Sequence, residues 1–272
     1  MGRKIWKIWF VGLCIFSLHA SQKTVWILIH GTWAQKQMWY RVGGDFYEKL
    51  RQCLDVQKNS IISFTWNGNV RHASRVEAAR QLASHLETYH NDTDINIVAH
   101  SHGANVGILA SQMMAQKNYS QKKINYFFAL GVPVNNVCYY PAMEIVDYFY
   151  NIFSYEDLIQ PVFGLFQREY APHDRIINMR ATINDEQPDH TTLHDPCLAQ
   201  WLPSLHDLYM KSEKQEPNAM VLHLYDKKFP LCMIDKHRDQ LRERDIKTQQ
   251  LIASVMRSPW MYEKSYKQEL LD

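Results

Sequence analysis

The chain has 272 residues, of which 46% are hydrophobic and 12% aromatic, with only ten glycines and ten prolines. That balance excludes a disordered tail, a collagen-like polymer and a small disulfide scaffold, and it suffices for one large domain with a buried core. The formal charge is +2, but residues 1–20 hold Arg3, Lys4 and Lys7 and no acid, which leaves 27 basic against 28 acidic side chains in the remainder. A near-neutral body lacks the cationic surplus that phosphate binding requires, so nucleic acid is excluded as a partner.

The first twenty residues read as a secretory signal. Met1 to Lys7 is basic, Ile8 to Ser17 is apolar and too short to cross about 30 Å of hydrocarbon as a helix, and Ser17-Leu18-His19-Ala20 ends on a small residue. Export to a periplasm or the exterior is expected. An uncleaved membrane anchor is the alternative, because Trp6, Trp9 and Phe10 make the segment sticky and Leu18 spoils the cleavage pattern. Neither Cys14 nor Gly2 sits in a lipidation motif. Cys53, Cys138, Cys197 and Cys232 follow the signal without CxxC or zinc-like spacing. Buried structural cysteines are expected, although an oxidising compartment would allow two disulfides.

From Thr24 onward, strand-like and helix-like stretches alternate. Thr24 to Ile29 is a continuous apolar run, and Gln35 to Leu54 has helical spacing through Met38, Val42, Phe46, Leu50 and Leu54. Ser60 to Trp66 reads as a strand, Arg75 to Tyr89 as an amphipathic helix and Ile95 to His100 as a buried strand. A helix at Ala104 to Gln116 and strands at Asn125 to Leu130, Tyr148 to Ser154 and Arg175 to Ile183 continue the series. Strands apolar on both faces with helical crossovers predict an α/β protein: an open, mostly parallel sheet with helices on both faces and its site at the carboxyl ends of the strands.

Past His190 the pattern changes. Pro196 to Glu213 reads as a helix capped by Asp195, with Pro203 expected to kink or end its first part. Residues 214–272 are more charged, apart from a surface-helix pattern at Arg238 to Met256. The expected organisation is a signal at 1–20, the main domain at 21–205 and a C-terminal helical extension at 206–272 packed on that domain. The apolar residues of the tail, Met210, Met220, Phe229, Met233, Met256, Trp260, Met261 and Tyr262, are costly to leave in water. They are expected to form an extra structural layer or, alternatively, a wall over the site with contact to a membrane surface.

Ala99-His100-Ser101-His102-Gly103 stands between a strand and a helix, the setting of a nucleophile elbow, where small neighbours let the two backbones pass closely. A serine hydroxyl needs a base, and the base needs an orienting carboxylate. Asp157 follows one later strand and His190 the next, giving the chain order Ser101, Asp157, His190. Glu156 and Asp147 are the other acids considered. His194 is the alternative base, with His173 and His206 further off. An oxyanion hole is expected from the backbone N–H groups of His102 and of Thr32 in His30-Gly31-Thr32-Trp33. Trp33 and Trp66 are possible pocket residues, Trp66 equally a core residue. His100 and His102 lack a third ligand at metal-binding spacing, so no metal is expected.

HGTWA after the first strand, AHSHG at the elbow, NIFSYEDLIQ at the acid and DHTTL before the last helix together resemble the α/β-hydrolase superfamily, and most closely its small bacterial serine lipases and esterases. The resemblance covers about residues 24 to 205. Its minimal lipases tolerate alanine at the first elbow position, which accommodates Ala99. It implies a cofactor-free serine hydrolase cleaving a small-molecule or lipid ester through an acyl-enzyme on Ser101. A thioesterase or acyltransferase on the same residues, or a non-catalytic binding protein on the same fold, are the alternatives. About fifteen residues between Gly131 and Asp147 are too few for a lid domain, so an open cleft is expected.

Overall fold

The computed structural model describes residues 23–247, apart from 56, 118–121, 164–166, 213–219 and 238. The signal-like segment and the end of the tail, including Met256 to Tyr262, lie outside the described residues. Among the described residues no helix is long and apolar enough to cross a membrane.

Eight strands form one sheet: β1 (Thr24–Ile29), β2 (Asn59–Phe64), β3 (Asp94–His100), β4 (Ile124–Leu130), β5 (Val146–Phe153), β6 (Ile176–Ile183), β7 (Met220–Leu224) and β8 (Leu231–Ile234). Their spatial order is β2-β1-β3-β4-β5-β6-β7-β8, and every neighbouring pair is parallel except β7 with β8. The helices are α1 (Asp45–Cys53), α2 (His72–Glu87), α3 (His102–Gln116), the short α4 (Ile159–Phe163) and α5 (Pro196–Lys211). Residues 239–247 are also helical.

Strand alternation distributes the apolar side chains to two separate cores. Val25, Ile27 and Ile29 of β1, with Ile95, Ile97 and Ala99 of β3, meet Ala79 and Leu82 of α2 and Val106 and Ile108 of α3 on one face. Trp26 and Leu28, with Val98 and Phe128, meet Phe46 and Leu50 of α1 and Leu198, Leu202 and Leu205 of α5 on the other. This is the open, mostly parallel sheet with helices on both faces that the strand and helix pattern predicts. The chain leaves β1 toward β2 and returns to β3 on the opposite side, which makes the crevice above β1 and β3 the topological switch point where α/β sheets bind ligands.

Two expectations are corrected and a third is narrowed. The helix read at 35–54 is only α1; Gly43 has φ +85°, and a Cβ on Gly44 would lie 1.9 Å from the Met38 carbonyl oxygen, so residues 35–44 fold as a tight loop. The tail is not solely helical: β7 is a short buried run that extends the sheet beyond β6, and β8 returns beside it, so the boundary at 205 cuts through α5 rather than separating two layers. Pro203 lies inside α5 without ending it. Asp195 accepts from the Cys197 N–H at the start of that helix, and its buried face at Leu198, Leu202, Leu205 and Tyr209 holds it to the sheet across the proline.

The four cysteines of the described residues are free thiols. Burial pushes Cys197 and Cys232 up to about 12, so both stay protonated and weakly nucleophilic. The segment between β4 and β5 is packed rather than lid-like, with Val132, Val134, Tyr139 and Met143 in the core. Replacement of Gly44 by alanine is expected to destabilise the fold by roughly 2 kcal/mol or more, because backbone must move to admit the methyl group. Urea denaturation of Gly44→Ala beside the exposed control Gln52→Ala, expected within about 0.5 kcal/mol of the parent, checks it.

Candidate functional site

The carboxyl ends of β1, β3, β4 and β5 converge on Ser101. It has φ 54° and ψ −135°, a conformation that non-glycine residues rarely adopt, at the one-residue junction between β3 and α3. Its N–H donates to the Leu130 carbonyl at 2.9 Å and its own carbonyl accepts from the Ala104 N–H at 2.9 Å, which fixes the turn from both sides. A Cβ on Gly103 would lie 2.3 Å from the His30 carbonyl oxygen, so strand, loop and helix do pass as closely as the small residues of the motif imply. Ser101 is buried, at 6% relative exposure.

His30 shapes the loop after β1. Its Nδ1 donates to the Gly31 carbonyl at 2.8 Å, and its Nε2 faces both the N–H and the carbonyl of Trp66 at 3.2 Å, of which the neutral Nδ1–H tautomer uses the N–H. Burial keeps the imidazole's pKa below its ordinary value and so favours that neutral form. The Gly31 carbonyl also accepts from the Ala34 N–H at 3.3 Å. In a planar trans peptide the N–H points opposite to the carbonyl, so pinning Gly31 C=O also aims the Thr32 N–H. A Cβ on Gly31 would lie 2.8 Å from the Ser101 Cβ, so this peptide stands directly against the serine.

Thr32 Oγ1 and His102 Nδ1 share a 2.8 Å hydrogen bond, which ties together the two loops whose N–H groups were read as the oxyanion hole. His102 is the first residue of α3, where backbone N–H groups have no partner within the helix. Its imidazole is held far below the ordinary range, first by burial and then by the Arg75 and His190 charges. The paired tryptophans separate. Trp33 is 73% exposed, whereas Trp66 is buried, stacks on His30 and donates from Nε1 to the His30 carbonyl at 2.8 Å. Trp66 therefore buttresses the loop from the core side.

Across the site, His190 Nδ1 lies 2.7 Å from Asp157 Oδ2. Asp157 is fully buried, and its other oxygen accepts from the N–H groups of Ile159 and Gln160, each at 2.9 Å. A Cβ on Gly131, one residue past the carbonyl that binds the Ser101 N–H, would lie 2.9 Å from Asp157 Oδ2 and 3.3 Å from His190 Nδ1. The Ser101 turn and the carboxylate–imidazole pair are thus neighbours around the end of β4. Of the other acids, Glu156 is exposed and Asp147 pairs with Lys123 at 3.3 Å, near the opposite end of β5.

Two more histidines border the pair. His100 Nε2 donates to the His190 carbonyl at 2.8 Å, and its ring centroid is 4.6 Å from that of His190. Burial, with the neighbouring His190 and His194, drives His100 far below the ordinary range. His194 lies flat against Trp39, 4.9 Å between centroids and 6° between planes, with His100 at its edge. Burial lowers it to about 4. The more distant candidates stand elsewhere: His206 bonds the Tyr150 hydroxyl at 2.6 Å, and His173 receives the Arg175 N–H at 3.1 Å. A groove of about 530 Å³ opens beside the His190 loop, lined by Met38, Trp39, Phe46, Thr191 and His194 among others.

Asp189, not singled out by sequence reasoning, organises the His190 loop. One carboxylate oxygen accepts from the N–H and hydroxyl groups of both Thr191 and Thr192, at 2.7–2.9 Å, and these bonds, led by the Thr192 N–H, lower it to about 2. The Asp-x-Thr-Thr order was the available signal. Among the described residues one cluster has metal-like spacing, Asp195, Cys197 and Asp226; in it Asp195 already caps α5 and Cys197 is protonated.

A family model described as the Class II Aldolase and Adducin N-terminal domain matches residues 50–148. That stretch spans β2 to β4 with the start of β5, and includes Ser101 but neither Thr32 nor Asp157 and His190. No curated protein matches the sequence. Solved structures do: a cutinase-like protein from Cryptococcus sp. has 12% identity and a TM-score of 0.42, with 69% of this chain and 96% of that chain covered. A hyperthermophilic esterase from Pyrobaculum calidifontis has 12% identity and a TM-score of 0.34, covering 85% and 77%. Carboxyl esterase 2 from Tuber melanosporum has 8% identity and a TM-score of 0.35, covering 85% and 79%. At such values the chemistry has to be read from the side chains.

The His194 geometry has a consequence for stability. Its pKa is lowered to about 4 from 6.5 in the native state, so between those values the unfolded chain binds a proton that the folded chain does not, and stability falls as pH falls. At about 1.4 kcal/mol per unit the contribution is on the order of 3 kcal/mol. His194→Phe, which keeps the stack on Trp39, is expected to lose less stability than the parent between pH 7 and pH 4 in urea denaturation.

Proposed function

We propose that the protein is a serine hydrolase acting on carboxylic esters through an acyl-enzyme on Ser101. The observation that carries this reading is the conjunction of a strained, helix-initiating serine with a buried carboxylate–imidazole pair at the end of the adjoining strand. With Asp157 on Nδ1, the neutral His190 tautomer carries its proton there and leaves Nε2 free to accept one. Ser101 Oγ attacks the ester carbonyl carbon as His190 takes the hydroxyl proton, and the oxyanion receives the N–H groups of Thr32 and His102. The tetrahedral intermediate collapses, the C–O bond to the alcohol breaks, and His190 returns the proton to the departing oxygen. Water then repeats the sequence on the acyl-enzyme and frees the acid.

The histidine environment supports the assignment of the base. His100, His102 and His194 are all held below their ordinary range by burial and stay neutral near pH 7. Of the five imidazoles around the serine, His190 is the one hydrogen-bonded to a carboxylate, so the transient positive charge is best stabilised there. His100 and His194 serve as neutral packing that fixes the ring. The basic and apolar start of the sequence supports export.

Labelling with a fluorophosphonate probe tests the reading. The parent is expected to label once and Ser101→Ala not at all, with turnover of a short p-nitrophenyl ester lowered about 10³-fold or more. A parent that neither labels nor turns over such esters would sink the proposal. His190→Ala is expected to be as inactive as Ser101→Ala, whereas His194→Phe retains most of the rate; the reverse pattern moves the base to His194.

A further inference from the structure

Arg168 is buried, at 5% exposure, and all five of its guanidinium N–H groups have a defined use. Nε and Nη2 form a bidentate pair with Asp245, at 2.6 and 2.8 Å. Nη1 donates to the carbonyls of Ser154, at 2.8 Å, and Asp157, while Nη2 also reaches the Tyr155 carbonyl at 3.3 Å. These three carbonyls belong to the four-residue turn 154–157 that leaves β5 and carries the acid. The main chain of Arg168 is itself fixed to β5, because Asn151 Nδ2 donates to the Arg168 carbonyl at 2.7 Å. Asp245 arrives from the helical residues 239–247, beyond the end of the sheet, and is buried at 8% exposure.

We propose that Arg168 and Asp245 are positioning residues for the Asp157–His190 pair, so that a carboxylate from the C-terminal helix sets the geometry of the acid turn. The proposal rests on the serine-hydrolase reading for its kinetic consequence, though not for its geometry. A turn outside the sheet ladder has no strand partners to hold its carbonyls. Arg168 supplies donors to three of them at once and, being planar, fixes their relative directions. A buried guanidinium needs a counter-charge, and Asp245 provides it while using the remaining donors. Lysine has three donors on a flexible stem and cannot reproduce the pattern. The Asp157 carboxylate oxygens are engaged on the other side by Ile159, Gln160 and His190, so a shift of the turn transmits directly to the imidazole. An error of about 1 Å in a catalytic group can cost on the order of 100-fold.

The test compares full-length Asp245→Asn, Asp245→Glu and Arg168→Lys with the parent, with every rate normalised to sites titrated by the fluorophosphonate so that misfolded protein is not counted. Asp245→Asn and Arg168→Lys are expected to lower kcat per titrated site about tenfold or more, with KM within about twofold, and Asp245→Glu to recover much of the loss. A second readout needs no turnover: the downfield proton resonance of the His190 Nδ1–H···Asp157 bond, assigned by its disappearance in His190→Ala. It is expected in the parent, weakened or lost in Asp245→Asn and restored in Asp245→Glu. An unchanged resonance together with kcat within twofold of the parent would overturn the proposal, whatever happens to Tm. If the parent does not label with the probe, the hydrolase reading fails alone, and the resonance still decides the clamp.

Discussion

The backbone strain at Ser101 organises the carboxyl edge of the sheet. A non-glycine residue at φ 54° costs on the order of 1–3 kcal/mol and survives only where its surroundings over-determine it. Here the constraint comes from three directions: β4 through Leu130, α3 through Ala104, and the β1 loop, whose Gly31 leaves no room for a side chain against the serine. Because β1 and β3 are adjacent and parallel, both loops leave the sheet at the same level, with Ile29 opposite Ala99. Two loops that must touch therefore bring the Thr32 and His102 peptides to one spot.

Around that spot the protein uses histidine in four different ways. His30 pins a carbonyl, His102 ties one loop to another, His100 holds the backbone of His190, and His194 is a flat surface for Trp39. An imidazole can do each of these while neutral because it offers one donor and one acceptor on a rigid ring. Burial then does electrostatic work, since each ring kept neutral adds no positive charge beside the one that the proposed mechanism places on His190. A histidine-rich site is thereby compatible with a single proton carrier.

Most of this arrangement was legible in the sequence because it is local. Short continuous apolar runs at TVWILI and INIVAH revealed the central strands, and the elbow and HG motifs each lie within five residues. Chain order alone placed Asp157 and His190 after successive strands. The helix read at 35–54 failed where two glycines override an apolar period: Met38 and Val42 kept the spacing, yet both are exposed. β7 was hidden because five residues are too few to show a period, and only the hydrogen-bonding edge of β6 makes them a strand. Arg168 and Asp245 are 77 residues apart, and nothing in either neighbourhood announces a partner.

The stagger of the last strands determines when the acid turn is completed. β6 pairs through Met179 and Arg180 with the end of β5 and through the same residues with the start of β7. The sheet thus steps outward, and antiparallel β8 brings the chain back down to the level of that turn, where Asp235 meets Arg180 at 2.7 Å just before the helix bearing Asp245. On a chain made from its amino end, Ser101, Asp157 and His190 all emerge before the residue that neutralises Arg168. Ribosomal synthesis thus delivers these three side chains first and the counter-charge beneath them last, and a nascent polypeptide that stops short of residue 245 contains all three on an unfastened turn.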